Sequence, residues 1–176
     1  MRAVDRLNDA IGRAVSWLTL AMVLVTFASV VLRYGFSLGW IWLQESYIWL
    51  HAMVFMLGAG YTLLHDGHVR VDLIYREAGP RYKAWVNLCG VVFLLAPMIG
   101  VVAWFGWPYV VDSWTYLEGS PATNGLPGLF LLKSVLLAFC LLVGIQGLAL
   151  AGRSLLTLRG HGDAGAVAPN ERTPPG

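Results

Sequence analysis

Glu45 lies in a run of mostly apolar residues, Ile41 to Leu64. At about 1.5 Å per residue that run is long enough to cross a hydrocarbon core roughly 30 Å thick. A carboxylate in such a helix is costly and faces protein or water, not lipid. Trp42, Glu45, Trp49 and Ala52 recur at steps of three, four and three, which places them on one helical face. A carboxylate flanked by two indoles either contacts another protein or pairs with Arg33 or Lys133 on neighbouring helices of the same chain, where it would fix helix packing. Lys133, one turn inside the last apolar run, either answers Glu45 or snorkels to the interface. Arg33 and Tyr34 close the first run as interface anchors.

A second polar cluster, His65, Asp66, His68, Arg70 and Asp72, follows Leu64. Gly67 breaks the helix, and polar His68, Arg70 and Asp72 then alternate with apolar Val69, Val71 and Leu73, the pattern of an extended, two-faced surface segment. Two histidines three apart, with no further ligands at characteristic spacing, do not make a zinc site. His51 alone lies well inside an apolar run, so haem ligation by paired histidines would need a ligand from another chain; packing is the simpler reading. Cys89 and Cys140 stand on different helices outside any CxxC pattern and read as packing residues. No GxSxG, P-loop, GxGxxG after a strand or HExxH occurs, so nothing points to an enzyme.

The elements that hold these residues are set by composition. Of 176 residues, 57% are hydrophobic and 12% charged, against about 25% charged in soluble domains. The chain therefore belongs in a bilayer. Four spans are predicted, at about 15–34, 41–64, 84–111 and 129–152, forming one all-α membrane domain over 1–159. The first span exceeds the roughly 7–15 apolar residues of a secretory signal and reads as uncleaved. Ahead of it Val4, Leu7 and Ile11 fall at helical spacing, predicting a short amphipathic helix on the membrane surface or against a partner. Ten of the 12 Lys and Arg residues flank one side of these spans and only Arg33 and Lys133 the other, which predicts that both termini are cytoplasmic. The net charge of +2 is thus topogenic, and no nucleic-acid surface is expected. Pro97, followed by Gly100, predicts a kink in the third span. The outer loop from Asp112 to Gly128 contains Pro121, Gly125, Pro127 and Gly128 and reads as irregular but stiff. The tail 160–176, rich in Gly, Ala and Pro, reads as disordered.

In order, Arg33 and Tyr34 ending the first span, Trp42 and Glu45 in the second, a Gly-containing helix end, HVRVD at 68 to 72, and SPATNGLPG followed by Lys133 resemble the small permease subunit of tripartite ATP-independent periplasmic (TRAP) transporters. The resemblance covers roughly residues 10 to 155. Many members have two adjacent acids near the start of the second span, whereas Gln44, Glu45 and Ser46 here supply one. The resemblance implies a multi-pass inner-membrane protein that braces a large permease subunit. That complex would take up an organic acid, delivered by a periplasmic substrate-binding protein, with sodium. It further implies that this chain holds no cofactor, sodium being bound by the large partner, and that its contacts are with those two proteins and membrane lipids. Arg33, Trp42, Glu45, Trp49 and Lys133 are then expected at packing surfaces within the subunit or against the large one. His68, Arg70 and Asp72 are expected to organise the cytoplasmic turn by charge pairing. Two other classes remain open from the residues alone: a membrane anchor of a redox enzyme, and a self-assembling multidrug carrier built on Glu45.

Overall fold

A computed structural model describes residues 1–68 and 78–160 of the chain. Four long helices carry it: α1 (Arg2–Gly35), α2 (Ile41–Leu64), α3 (Pro80–Thr115) and α4 (Leu129–Leu158). Each contains a stretch of about 20 residues or more without Asp, Glu, Lys or Arg, the length a bilayer core demands. The charged residues of the helices fall outside these stretches: up to Arg13 and from Arg33 in α1, at Glu45 in α2, up to Lys83 and from Asp112 in α3, up to Lys133 and from Arg153 in α4. The helices alternate in direction, so one end of the bundle carries the start of α1, the end of α2, the start of α3 and the end of α4. The other, the loop end, carries residues 36–40 and 116–128.

Packing order across the bundle is α1, α2, α4, α3, and α4 also touches the start of α1. The last helix is accordingly the core, burying Cys140, Leu142, Val143, Gln146, Gly147, Ala149 and Ser154. Elsewhere large apolar side chains face outward, among them Phe27 at 68%, Phe93 at 72% and Leu148 at 72% exposure. In water this would be an aggregation surface; in lipid it is the expected exterior.

Residues 2–14 are helical, as their spacing predicts, but they do not form a separate surface helix. They run unbroken into the first span as one helix of 34 residues, about 51 Å long. Nothing in the segment forces a stop: it has no proline, and its one glycine, Gly12, is required by packing. A methyl group at Gly12 would collide with the Tyr61 ring of α2, just as one at Gly60 would collide with the Asn8 carboxamide. The stripe that packs is therefore Asn8, Gly12 and Val15, while Leu7 of the apolar stripe is 46% exposed.

The third helix shows why Pro97 is tolerated in mid-span. Residues Val91–Leu95 form a π-helical turn in which the Ala96 amide donates to the Val91 carbonyl, five residues back. Proline has no N–H to donate, and its ring crowds the carbonyl four residues before it. The wider turn moves that carbonyl aside, so the helix continues through the proline.

Candidate functional site

The loop end holds the densest set of polar contacts, built around two carboxylates. Glu45 enters from the first turns of α2. Its Oε1 accepts from the Ser120 hydroxyl, and its Oε2 accepts from the Leu126 backbone N–H at 2.6 Å. Ser120 in turn accepts from the Ala122 N–H at 3.1 Å, and the Ser120 N–H donates to the Leu126 carbonyl at 3.2 Å. One side chain of α2 thus closes a seven-residue ring of the SPATNGLPG segment. The ring needs left-handed backbone at Asn124 (φ 63°) and, as the cap of α4, at Gly128 (φ 92°), positions suited to Asn and Gly. A side chain at Gly125 would meet both Ser120 Oγ and Glu45 Oε1.

The second carboxylate is Glu118, in the loop itself. Its Oε2 accepts from the Ser113 hydroxyl of α3 at 2.7 Å and from the Lys133 ammonium of α4. The Lys133 ammonium also lies 4.0 Å from the centroid of the Tyr109 ring, a cation–π contact. The hydrogen bond from Lys133, and then that from Ser113, hold the Glu118 carboxyl below the ordinary glutamate range. Beside them Trp114 donates its indole N–H to Ser134 at 2.8 Å and packs edge-on to Phe130 at 4.6 Å. Helices α2, α3 and α4 are thereby stapled to one loop.

Lys133 therefore answers Glu118 and not Glu45. Glu45 is taken by loop donors, while Glu118 lies where the Ser113 hydroxyl and the Lys133 ammonium both reach it. Trp42 stacks on Trp40 at 6.2 Å and is 45% exposed, and Trp49 reaches toward Gly128. Arg33, also expected beside Glu45, lines a groove between α1 and α2 with Gln44 and Tyr47 and has no polar partner among the described residues. His51 lies deeper in the same cleft, 6.4 Å from Phe55. His68 is exposed just beyond α2; Arg70 and Asp72, like the tail 161–176, lie outside the described residues.

At the opposite end the structure brings together residues that sequence reasoning passed over. Asn8, fully buried, donates to Gln146 Oε1 at 2.9 Å; Gln146 donates to Asp5 at 3.1 Å; and Arg153 donates to both Asp5 oxygens at 3.0 and 3.1 Å. Nearby Asp9 pairs with Arg13 and lies 3.4 Å from His65, which packs on Tyr61. The available signal was Gln146 itself, an amide in an otherwise apolar span, since buried polar groups in membrane helices seek a partner. Both clusters tie helices of one chain together.

The family described as "Tripartite ATP-independent periplasmic transporters, DctQ component" matches residues 22–157, which include Glu45, Glu118, Ser120 and Lys133 but not Asp5 or Asn8. The chain is also 29% identical over 112 residues to the C4-dicarboxylate TRAP transporter small permease protein DctQ of Vibrio cholerae serotype O1, a stretch covering 60% of this chain and 47%, about half, of that protein. No solved structure matches it. With four membrane-length helices and a family match over most of its length, the chain is a multi-pass inner-membrane protein that belongs to the DctQ family, the small permease component of TRAP transporters.

Proposed function

We propose that this subunit is a stationary brace for the large permease subunit of its transporter, and that the complex takes up an organic acid delivered by a periplasmic binding protein, driven by sodium held in the large subunit. Both termini would face the cytoplasm, as the Lys and Arg distribution favours. The stapled loop end would then face the binding protein as a preformed surface. The observation that carries the reading is the placement of polar contacts. The two polar clusters lie at the ends of the bundle and lock helix to helix, while the mid-spans present apolar side chains to whatever surrounds them. A chain built so resists internal motion and offers no midplane site of the kind transporters form from broken helices.

Reconstitution tests this directly. Vesicles containing the chain with a large TRAP permease subunit should accumulate an organic acid only when the binding protein and a sodium gradient are present. Solute movement by the chain alone, or full uptake by the large subunit without it, would overturn the proposal.

A further inference from the structure

Between α1 and α2 runs a groove that is open to the membrane side and changes character along its length. Its deeper part, about 600 Å³, is walled mostly by carbon, from Met22, Val23, Phe27 and Ile48, with Thr26, Tyr47 and His51 completing the lining. Its upper part, about 170 Å³, is lined by Ser29, Arg33, Gln44 and Tyr47, with no carboxylate among its walls. Thr26 and Tyr47 border both parts, so the two are continuous. The side chains of Ser29, Arg33, Gln44 and Tyr47 make no hydrogen bond or ion pair among the described residues. A guanidinium and three neutral polar groups therefore converge at the loop end of the groove with no carboxylate to balance the charge of Arg33.

Depth identifies what fits. Arg33 lies in the last turn of α1 and Gln44 near the start of α2, at the loop end. Met22 lies eleven residues below Arg33, about 16 Å at the helical rise, which is close to half of a hydrocarbon core roughly 30 Å thick. The groove thus runs from one membrane boundary to about the midplane, the span of a single lipid leaflet.

We infer that this groove is a binding site for one anionic phospholipid of the leaflet on the loop side, its phosphodiester held by Arg33 and Gln44 and one acyl chain lying between Met22, Phe27 and Ile48. A phosphodiester supplies acceptor oxygens and a charge opposite to Arg33, and guanidinium matches it with paired N–H donors. The apolar trough excludes a free phosphate or a soluble acid, which would leave its walls uncovered. The inference is independent of the transport reading, since it concerns this chain and its bilayer alone.

The test is lipid retention by the full-length chain, purified in mild detergent and weighed by native mass spectrometry after exchange with phosphatidylglycerol or with diacylglycerol of the same chains. One phosphatidylglycerol per chain is expected to survive delipidation, preferred over diacylglycerol by about five-fold or more. Arg33→Gln should remove that preference, Arg33→Lys should restore part of it, and Thr26→Trp, which fills the junction of the two parts, should lower retention of both lipids. Gln44→Leu gives a second reading at the opposite lip should Arg33→Gln fail to fold. Equal retention of the two lipids, or equal losses in Arg33→Gln and in Arg81→Gln at the other end of the bundle, would overturn the site. So would displacement of the lipid by the large subunit, with Ile48 cross-linking to it, which would make the groove a helix seat.

Discussion

Glu45 directs both carboxylate oxygens at a loop 75 and 81 residues further along the chain, and that is why its role was only half legible. Its position, an acid on an indole-flanked helical face, follows from spacing. Its partners depend on a backbone ring that turns through left-handed Asn124, which no periodicity encodes. Removing the carboxylate by Glu45→Ala leaves the Leu126 N–H and the Ser120 hydroxyl without their acceptor, costing about 1–3 kcal/mol. Faster proteolysis and hydrogen exchange within 118–128, with weaker assembly with the large subunit, are the expected readouts; Glu45→Gln, which keeps one acceptor oxygen, should be milder. Glu118 adds a pH dependence whose sign is fixed by its lowered pKa, caused first by the hydrogen bond from Lys133. A depressed carboxyl stabilises the fold above the unfolded value, 4.5, and loses that contribution as pH falls through the lower folded value. Hydrogen exchange of the loop should therefore accelerate only below about pH 4.5, and Glu118→Gln should show no such transition.

Among the elements, the four spans were readable because each carries about 20 residues free of charge, a signal that averaging over a window preserves. The same averaging hides a lone Gln146 or Asn8, which is why the clasp between α1 and α4 was missed. Neighbouring glycines were likewise indistinguishable in sequence: Gly58 and Gly60 both suggest close helix approach, yet only Gly60 has a neighbour, Asn8, that a methyl group would strike. Gly60→Ala should accordingly cost about 1–3 kcal/mol by overpacking, while Gly58→Ala should be neutral or slightly stabilising; thermal unfolding in one detergent separates them. For the clasp, a double-mutant cycle with Asp5→Ala and Arg153→Ala should return a coupling of about 0.5–3 kcal/mol. A coupling near zero would mean the pair contributes no more than an exposed surface bridge.

For the whole molecule, the burial pattern separates what holds the subunit together from what it presents outward. Interior side chains concentrate on α4, so that helix should resist exchange longest. Removing residues 2–13 deletes the clasp without touching a charge-free stretch. All four spans should still insert, by protease accessibility of the connecting segments, but the unfolding midpoint should fall. The resemblance was carried by the order of Arg33 and Tyr34, Trp42 and Glu45, HVRVD, SPATNGLPG and Lys133 along the chain, and the family match bears it out, because order survives where individual contacts cannot be inferred.

The uninterrupted first helix has a mechanical corollary. About 51 Å of rod in a layer with a core of roughly 30 Å leaves some 20 Å projecting on the side of the chain ends. A rod without a hinge transmits its inclination in full. A thinner bilayer that makes α1 lean must therefore either lean α4 with it or pull Asn8 away from Gln146. The subunit should consequently be a gauge of bilayer thickness, with its greatest thermal stability at one acyl-chain length and a fall on either side. In Asn8→Ala, where the linkage is cut, that optimum should flatten.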